Sequence, residues 1–164
     1  MSRPFYHFEN FEARNSLGYL NKRLFTLISQ AVEEIFADQE LSFVQWVALV
    51  SVRDDVADTC AGIARHLGHD SGATTRMIDQ LERRGLLTRN RCKTDRRVVR
   101  LGLTAQGRAV AKAMTPRVMT FWNAVLKDFS HAETTQLIAL LTRLLASMER
   151  EVADQKNGEQ EETA

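Results

Sequence analysis

Proline is nearly missing. The 164 residues hold two, Pro4 and Pro116, and six of the eight glycines fall between Gly62 and Gly107. This excludes collagen-like and polyproline architectures and leaves both ends of the chain free to form long helices. Cysteine is scarce too. Cys60 and Cys92 are the two present, too few for a disulfide framework, and they are read as reduced thiols. No apolar run approaches the roughly 20 residues of a membrane span. The opening "MSRPFYHFENFEARN" lacks an apolar core of signal-peptide length. A soluble, cytoplasmic protein without membrane contact is expected. No glycine-rich phosphate loop and no nucleophile–base pattern is found, so neither an enzyme nor a cofactor is expected.

Excess charge is also lacking, with a net of +1, so the global balance argues neither for nor against nucleic acid. The sum hides an uneven distribution. From Arg83 to Arg100 there are eight Arg or Lys and one acid, while the stretch from Glu149 onward is acidic. Hydrophobic residues make up 44% of the chain, enough for a packed interior. No internal repeat is visible.

Between about Arg14 and Phe36, Leu17, Leu20, Leu24, Leu27, Ala31 and Ile35 recur at three or four, which predicts one long amphipathic helix. "LSFVQWVALVSVRD" opens with a capping box, Ser42 and Gln45, and is apolar nearly all round, which predicts a buried central helix. Two short helices follow. Thr59–Leu67 is closed by Gly68, and Ser71–Arg84 by Gly85, each glycine suited to a left-handed terminus. Asp70 or Ser71 caps the second. The tight joint between them is that of a helix-turn-helix, with Ile63 and Leu67 facing Ile78 and Leu81. The period then changes to two. Leu87–Arg91 and Val99–Leu103 alternate around the polar segment Cys92–Arg97, which predicts a hairpin with a basic tip. Thr104 caps a further helix carrying Val110, Met114, Phe121 and Val125, with Pro116 marking a kink or a boundary. Ser130 and Glu133 cap a last helix striped by Leu137, Leu141, Leu144 and Met148. The tail "DQKNGEQEETA" is expected to fray.

The second short helix has two faces. Thr74, Ile78 and Leu81 point inward. Ser71, Thr75, Arg76 and Gln80 form a polar outer face able to enter a DNA major groove. Arg76 suits either a guanine edge or a phosphate. Arginines at a hairpin tip suit a narrow minor groove, where negative potential concentrates. Arg96 and Arg97 occupy that tip. Asp95 orients a guanidinium there, ties the hairpin to the helix, or serves only as a turn residue. Arg89, Arg91 and Lys93 lie against phosphates. A basic hairpin can also be merely a solvated, aggregation-resistant edge, but its place directly after a helix-turn-helix favours the DNA reading.

The stretch "LERRGLLTRNRCKTDRRVVRLGLTAQG" resembles the signature of MarR-family winged-helix transcription regulators. The resemblance is carried by Leu81-Glu82, Gly85-Leu86, Arg89, Asp95-Arg96-Arg97 and Leu103-Thr104-Ala105-Gln106-Gly107, and it covers roughly residues 14–152. It implies that Arg97 is the wing arginine of the minor groove, that Asp95 orients it, and that Thr75 and Arg76 lie on the recognition helix. The "LSFVQW" start is similar to the SlyA-like branch.

The expected fold is mainly α with a small two-stranded β-wing. Its organisation is an N-terminal dimerisation segment (1–38), a winged helix-turn-helix (39–104), C-terminal dimerisation helices (105–153) and a disordered acidic tail (154–164). The first and last helices carry more apolar surface than a winged helix needs, which marks a homodimer interface unless they pack on their own domain. Two-fold symmetry would then set two recognition helices about one DNA turn apart on a pseudo-palindromic operator. The expected function is nucleoid-associated transcriptional regulation, as a repressor released by a small phenolic or anionic effector. The alternatives are a SlyA-like activator or anti-silencer, and a redox regulator using Cys92, whose basic neighbours favour its thiolate. Trp46, Tyr19, Arg14, Arg23 and His7 are candidate lining groups, but Trp46 reads first as core and no effector residue is assigned. His66 and His69, with Cys60 nearby, read as helix-surface or capping groups rather than a metal site, and Cys60 as a packing residue.

Overall fold

The computed structural model describes residues 4–38, 40–92 and 98–161. Lys93, Asp95, Arg96 and Arg97, singled out above, lie outside the described residues. The described residues form six α-helices and a two-stranded antiparallel sheet in the order α1 (Leu17–Phe36), α2 (Phe43–Arg53), α3 (Cys60–Leu67), α4 (Ser71–Arg83), β1 (Leu87–Arg91), β2 (Val99–Leu103), α5 (Ala105–Val125) and α6 (His131–Glu161). Two compact units divide the chain at Val118/Met119, within α5.

Local chemistry sets the boundaries in the first unit. The hydroxyl of Ser16 accepts from the Tyr19 amide and starts α1, later than the periodicity places it; two short 3-10 turns, Phe8–Asn10 and Ala13–Asn15, precede it. Ser42 and Gln45 form the reciprocal capping box at α2. Thr59 caps α3 and Asp70 caps α4, and both following glycines are left-handed, Gly68 at φ 64° and Gly85 at φ 68°. Ala48 and Leu49 of α2, Ile63 of α3, and Ile78 and Leu81 of α4 are fully buried in one core, with Leu86, Leu101 and Ala111 beside them. The sheet registers Leu87 on Leu103 and Arg91 on Val99.

Pro116 does not end α5. In the turn before it the carbonyl of Ala111 accepts from Trp46 Nε1 at 3.0 Å and from Thr115 Oγ1 at 3.1 Å. Arg117 spans to Asp38 at 2.7 Å and holds the middle of α5 to the segment after α1.

The second unit contains the end of α5 and all of α6. Ser130 and Glu133 exchange hydrogen bonds at the start of α6: the Glu133 carboxylate accepts from the Ser130 amide at 2.8 Å, and Ser130 Oγ accepts from the Glu133 amide at 3.2 Å. α6 runs on to Glu161, through residues whose polarity marks them for fraying.

Candidate nucleic-acid interface

The joint between α3 and α4 is Gly68-His69-Asp70. Gly68 donates to the Arg65 carbonyl and His69 to the Ala64 carbonyl, which closes α3. Asp70 Oδ1 then accepts from the Ala73 amide at 2.9 Å and opens α4. Along α4, Thr74, Ile78 and Leu81 are buried, while Ser71, Thr75, Arg76 and Gln80 are exposed. Thr74 resolves its polarity by donating to the Asp70 carbonyl, so a hydroxyl sits at an apolar position without an unmet bond. Arg76 makes no hydrogen bond or ion pair among the described residues and is free to donate outward. Gln80 is held: its Oε1 accepts from Gln45 Nε2 at 3.2 Å.

The hairpin is fastened to this helix by Arg89. Its guanidinium lies 2.6 Å from the Asp79 carboxylate and 2.5 Å from that of Glu82, two acids one turn apart on α4. Partial burial works against the charged form of Arg89. The bonds to Asp79 and, secondarily, Cys60 outweigh that cost and keep its pKa above the ordinary guanidinium value. Arg89 therefore joins β1 to α4, whereas its strand neighbour Arg91 stays exposed. On the other strand, Leu101 donates its amide to the Asp58 carbonyl at 2.6 Å, and Arg100 pairs with the Asp58 carboxylate. The hairpin is thus tied to both halves of the helix-turn-helix.

A third fastening lies at the base of the hairpin. Thr104 Oγ1 donates to the Gly85 carbonyl at 2.6 Å and accepts from the Gly107 amide at 2.9 Å. Gly107 packs so closely that an added Cβ would fall 2.0 Å from the Leu86 carbonyl oxygen. The Gly-Leu and Leu-Thr-x-x-Gly parts of the motif are therefore two sides of one contact, which docks α5 against the end of α4.

Of the residues expected to meet DNA, the structure brings Ser71, Thr75, Arg76 and Gln80 onto one exposed helix face and adds exposed Arg91 on the adjoining strand. Asp79 and Asp58 escaped the sequence reading. Asp79 carried a signal, an acid one turn before Glu82 and opposite an alternating Arg. Asp58 carried none, because its contact with Arg100 closes over 42 residues. Among the described residues no group of three or more His, Cys, Asp or Glu could hold a metal ion, and no helix is long and apolar enough to cross a membrane. Neither Cys60 nor Cys92 forms a disulfide among the described residues, and both are partly buried. Trp46 lies half-buried against the core, its ring stacked on Phe43.

Residues 41–99 match the MarR family. Among solved structures, apo wild-type MarR from E. coli is 26% identical over 79% of this chain and 96% of its own, with a TM-score of 0.67. BpsR of Bordetella bronchiseptica, whose DNA binding is regulated by 6-hydroxynicotinic acid, is 24% identical over 82% of this chain and 96% of its own, with a TM-score of 0.69. MepR of S. aureus, solved in complex with DNA, is 21% identical over 84% of this chain and 99% of its own, with a TM-score of 0.68. Six helices and a two-stranded antiparallel wing are common to this chain and those structures.

Proposed function

With a MarR-type winged helix as its fold, we propose that this chain is a sequence-specific transcription regulator. It lays α4 in a DNA major groove and reaches the neighbouring minor groove with the tip of its wing. One observation carries the reading. α4 buries Thr74, Ile78 and Leu81 completely and turns Ser71, Thr75, Arg76 and Gln80 to solvent, a face rich in donors on a helix held rigid from three sides. Arg97 enters the minor groove with Asp95 orienting it, Arg96 lies beside it, and Lys93 and Arg91 lie against phosphates. Arg89 acts on DNA indirectly, by setting the angle of the wing to α4.

The active species is a homodimer. Leu17, Leu20, Leu24 and Leu27 form an exposed apolar stripe on α1, and Leu137, Leu141 and Met148 form another on α6. Stripes of this kind are characteristic of interfaces rather than free surfaces. The dimer acts as a repressor by occluding polymerase, and a small molecule releases it, as 6-hydroxynicotinic acid regulates BpsR. Footprinting on the DNA upstream of the protein's own gene tests the proposal. Two protected patches about one helical turn apart are expected. Absence of any protected patch there and on flanking promoters counts against it.

A further inference from the structure

Two histidines have no part in the core or in the DNA-facing set assigned above: His66, near the end of α3, and His69, in the joint before α4. Both are exposed, and among the described residues neither imidazole makes a hydrogen bond or an ion pair. Capping falls to other atoms. The backbone amides of Gly68 and His69 close α3, and the Asp70 carboxylate opens α4. Arg65, on the same end of α3, is likewise exposed and unpaired among the described residues. From Thr59 to His69 the chain holds no acid. The other exposed positions there, Ala61 and Gly68, are small, so nothing bulky screens the three basic groups.

The charged groups of the elements packed against α3, which are α2, α4 and β2, are engaged elsewhere. Arg53 at the end of α2 binds both carboxylate oxygens of Asp54, at 2.7 and 2.9 Å. Arg100 of β2 pairs with Asp58. On α4, Asp79 and Glu82 hold Arg89, and Arg83 donates to the Asp79 carbonyl at 3.3 Å. Cys60, at the far end of α3, also bonds Arg89. Arg76 is the exception. A Cβ on Gly72 would lie 3.6 Å from Arg76 Nη1 and 3.1 Å from Asp70 Oδ1, so this guanidinium folds back over the first turn of α4 toward the joint. Asp70 is the one acid there, and its Oδ1 carries the cap of α4.

When the second helix of a helix-turn-helix enters a major groove, the first crosses the sugar–phosphate backbone. With α4 in the groove, the end of α3 and the joint face phosphates. An imidazole carries little charge at neutral pH, whereas an imidazolium is a cation with two N–H donors. A phosphate beside it favours that cation. Association then draws protons from solvent onto the rings. Because the charged form binds better, affinity is gained as pH falls and is lost as pH rises through the range where the bound rings release their protons.

We propose that His66 and His69 are proton-dependent phosphate contacts and that, beside the fixed charge of Arg65, they couple the DNA affinity of this chain to pH near neutrality. The inference rests on the DNA-binding reading and adds a regulating variable to it. Each ring that takes up a proton adds one neutralised phosphate, so the salt dependence of binding steepens together with the affinity.

Anisotropy titrations of the full chain on a labelled duplex carrying the footprinted sequence test this, at several salt concentrations and at about pH 8 and about pH 6, an interval above the ordinary carboxylate range. Wild type binds roughly fivefold tighter or more at the lower pH, and its salt slope steepens there by up to about two for each protomer bound. The double variant His66→Gln, His69→Gln loses most of both changes. Its melting temperature stays that of wild type at both pH values, because neither ring is buried or bonded. Arg65→Gln weakens binding at both pH values and keeps the pH dependence. Wild-type affinity that ignores pH overturns the proposal. So does a double variant whose affinity and salt slope respond to pH as wild type does. Salt-sensitive binding without a histidine-dependent pH response leaves the proposed function standing and overturns only the coupling. Absence of binding at either pH overturns the proposed function and the coupling together.

Discussion

Arg89 of the wing lies 2.6 Å from Asp79 of α4, and this pair ties together the two parts of the molecule that would touch a duplex. The guanidinium is about a quarter exposed, 26%, and is shared with Glu82, so its removal leaves two carboxylates of α4 facing each other without a cation. Replacing Arg89 with Ala should lower unfolding stability by about 1–3 kcal/mol, the range for a charge-assisted pair losing one partner. Chemical denaturation measures this. DNA affinity should fall as well, but the slope of log affinity against log salt should stay unchanged, because in the proposed reading Arg89 orients the wing instead of neutralising a phosphate.

Arg91 supplies the contrast on the same strand. It is exposed, and no ion pair engages it among the described residues. Arg91→Ala should leave stability within about 0.5 kcal/mol of wild type. It should reduce the salt slope by about one. Anisotropy titrations at several salt concentrations read both variants side by side.

Gly107 is the most tightly packed of the glycines. A Cβ there would meet the Leu86 carbonyl at 2.0 Å, which no rotamer change relieves. Gly107→Ala should cost more than about 2 kcal/mol, as overpacking against backbone does. The melting temperature should fall by several degrees at least. Gly18→Ala, where an added Cβ meets nothing within 4 Å, is the control and should be neutral or slightly stabilising.

The start of α6 is sensitive to acid. The Glu133 carboxylate accepts from the hydroxyl and then the amide of Ser130, which hold its pKa below the ordinary glutamate value. A depressed folded pKa gives a contribution that is complete above the unfolded value and is lost as pH falls through the folded one. The melting temperatures of wild type and Glu133→Gln should therefore differ most at neutral pH and converge as pH falls below the ordinary glutamate range. A difference that grows on acidification contradicts the cap.

The two-faced character of α4 was legible because Thr74, Ile78 and Leu81 recur at helical spacing and nothing in the fold overrides it. The caps at Ser42, Asp70 and Ser130 were legible for the same reason, since each is local chemistry within four residues. The contacts that orient the wing were not. Arg89–Asp79 spans ten residues and Arg100–Asp58 forty-two, and which acid an arginine meets depends on how two elements dock. The sequence also placed a possible break at Pro116. The helix instead runs on through it to Val125.

Dimerisation makes a separate prediction. Placing charge on the α1 stripe with Leu20→Glu and Leu24→Glu should give a folded monomer, because both side chains are about half exposed and neither belongs to the core cluster. Sedimentation velocity reads the change in mass, and circular dichroism checks that helicity is kept. DNA affinity should fall steeply, since one half-site binds far more weakly than two joined.

The account stands most directly on a titration of the footprinted duplex with wild-type protein, Arg76→Ala and Arg97→Ala, followed by fluorescence anisotropy across a range of salt. It predicts salt-sensitive wild-type binding. Each variant should lose about 1–3 kcal/mol of binding free energy, roughly five- to 150-fold in affinity, while its melting temperature stays that of wild type. Wild-type binding that ignores salt, or variants that bind the duplex as tightly as wild type, would contradict it.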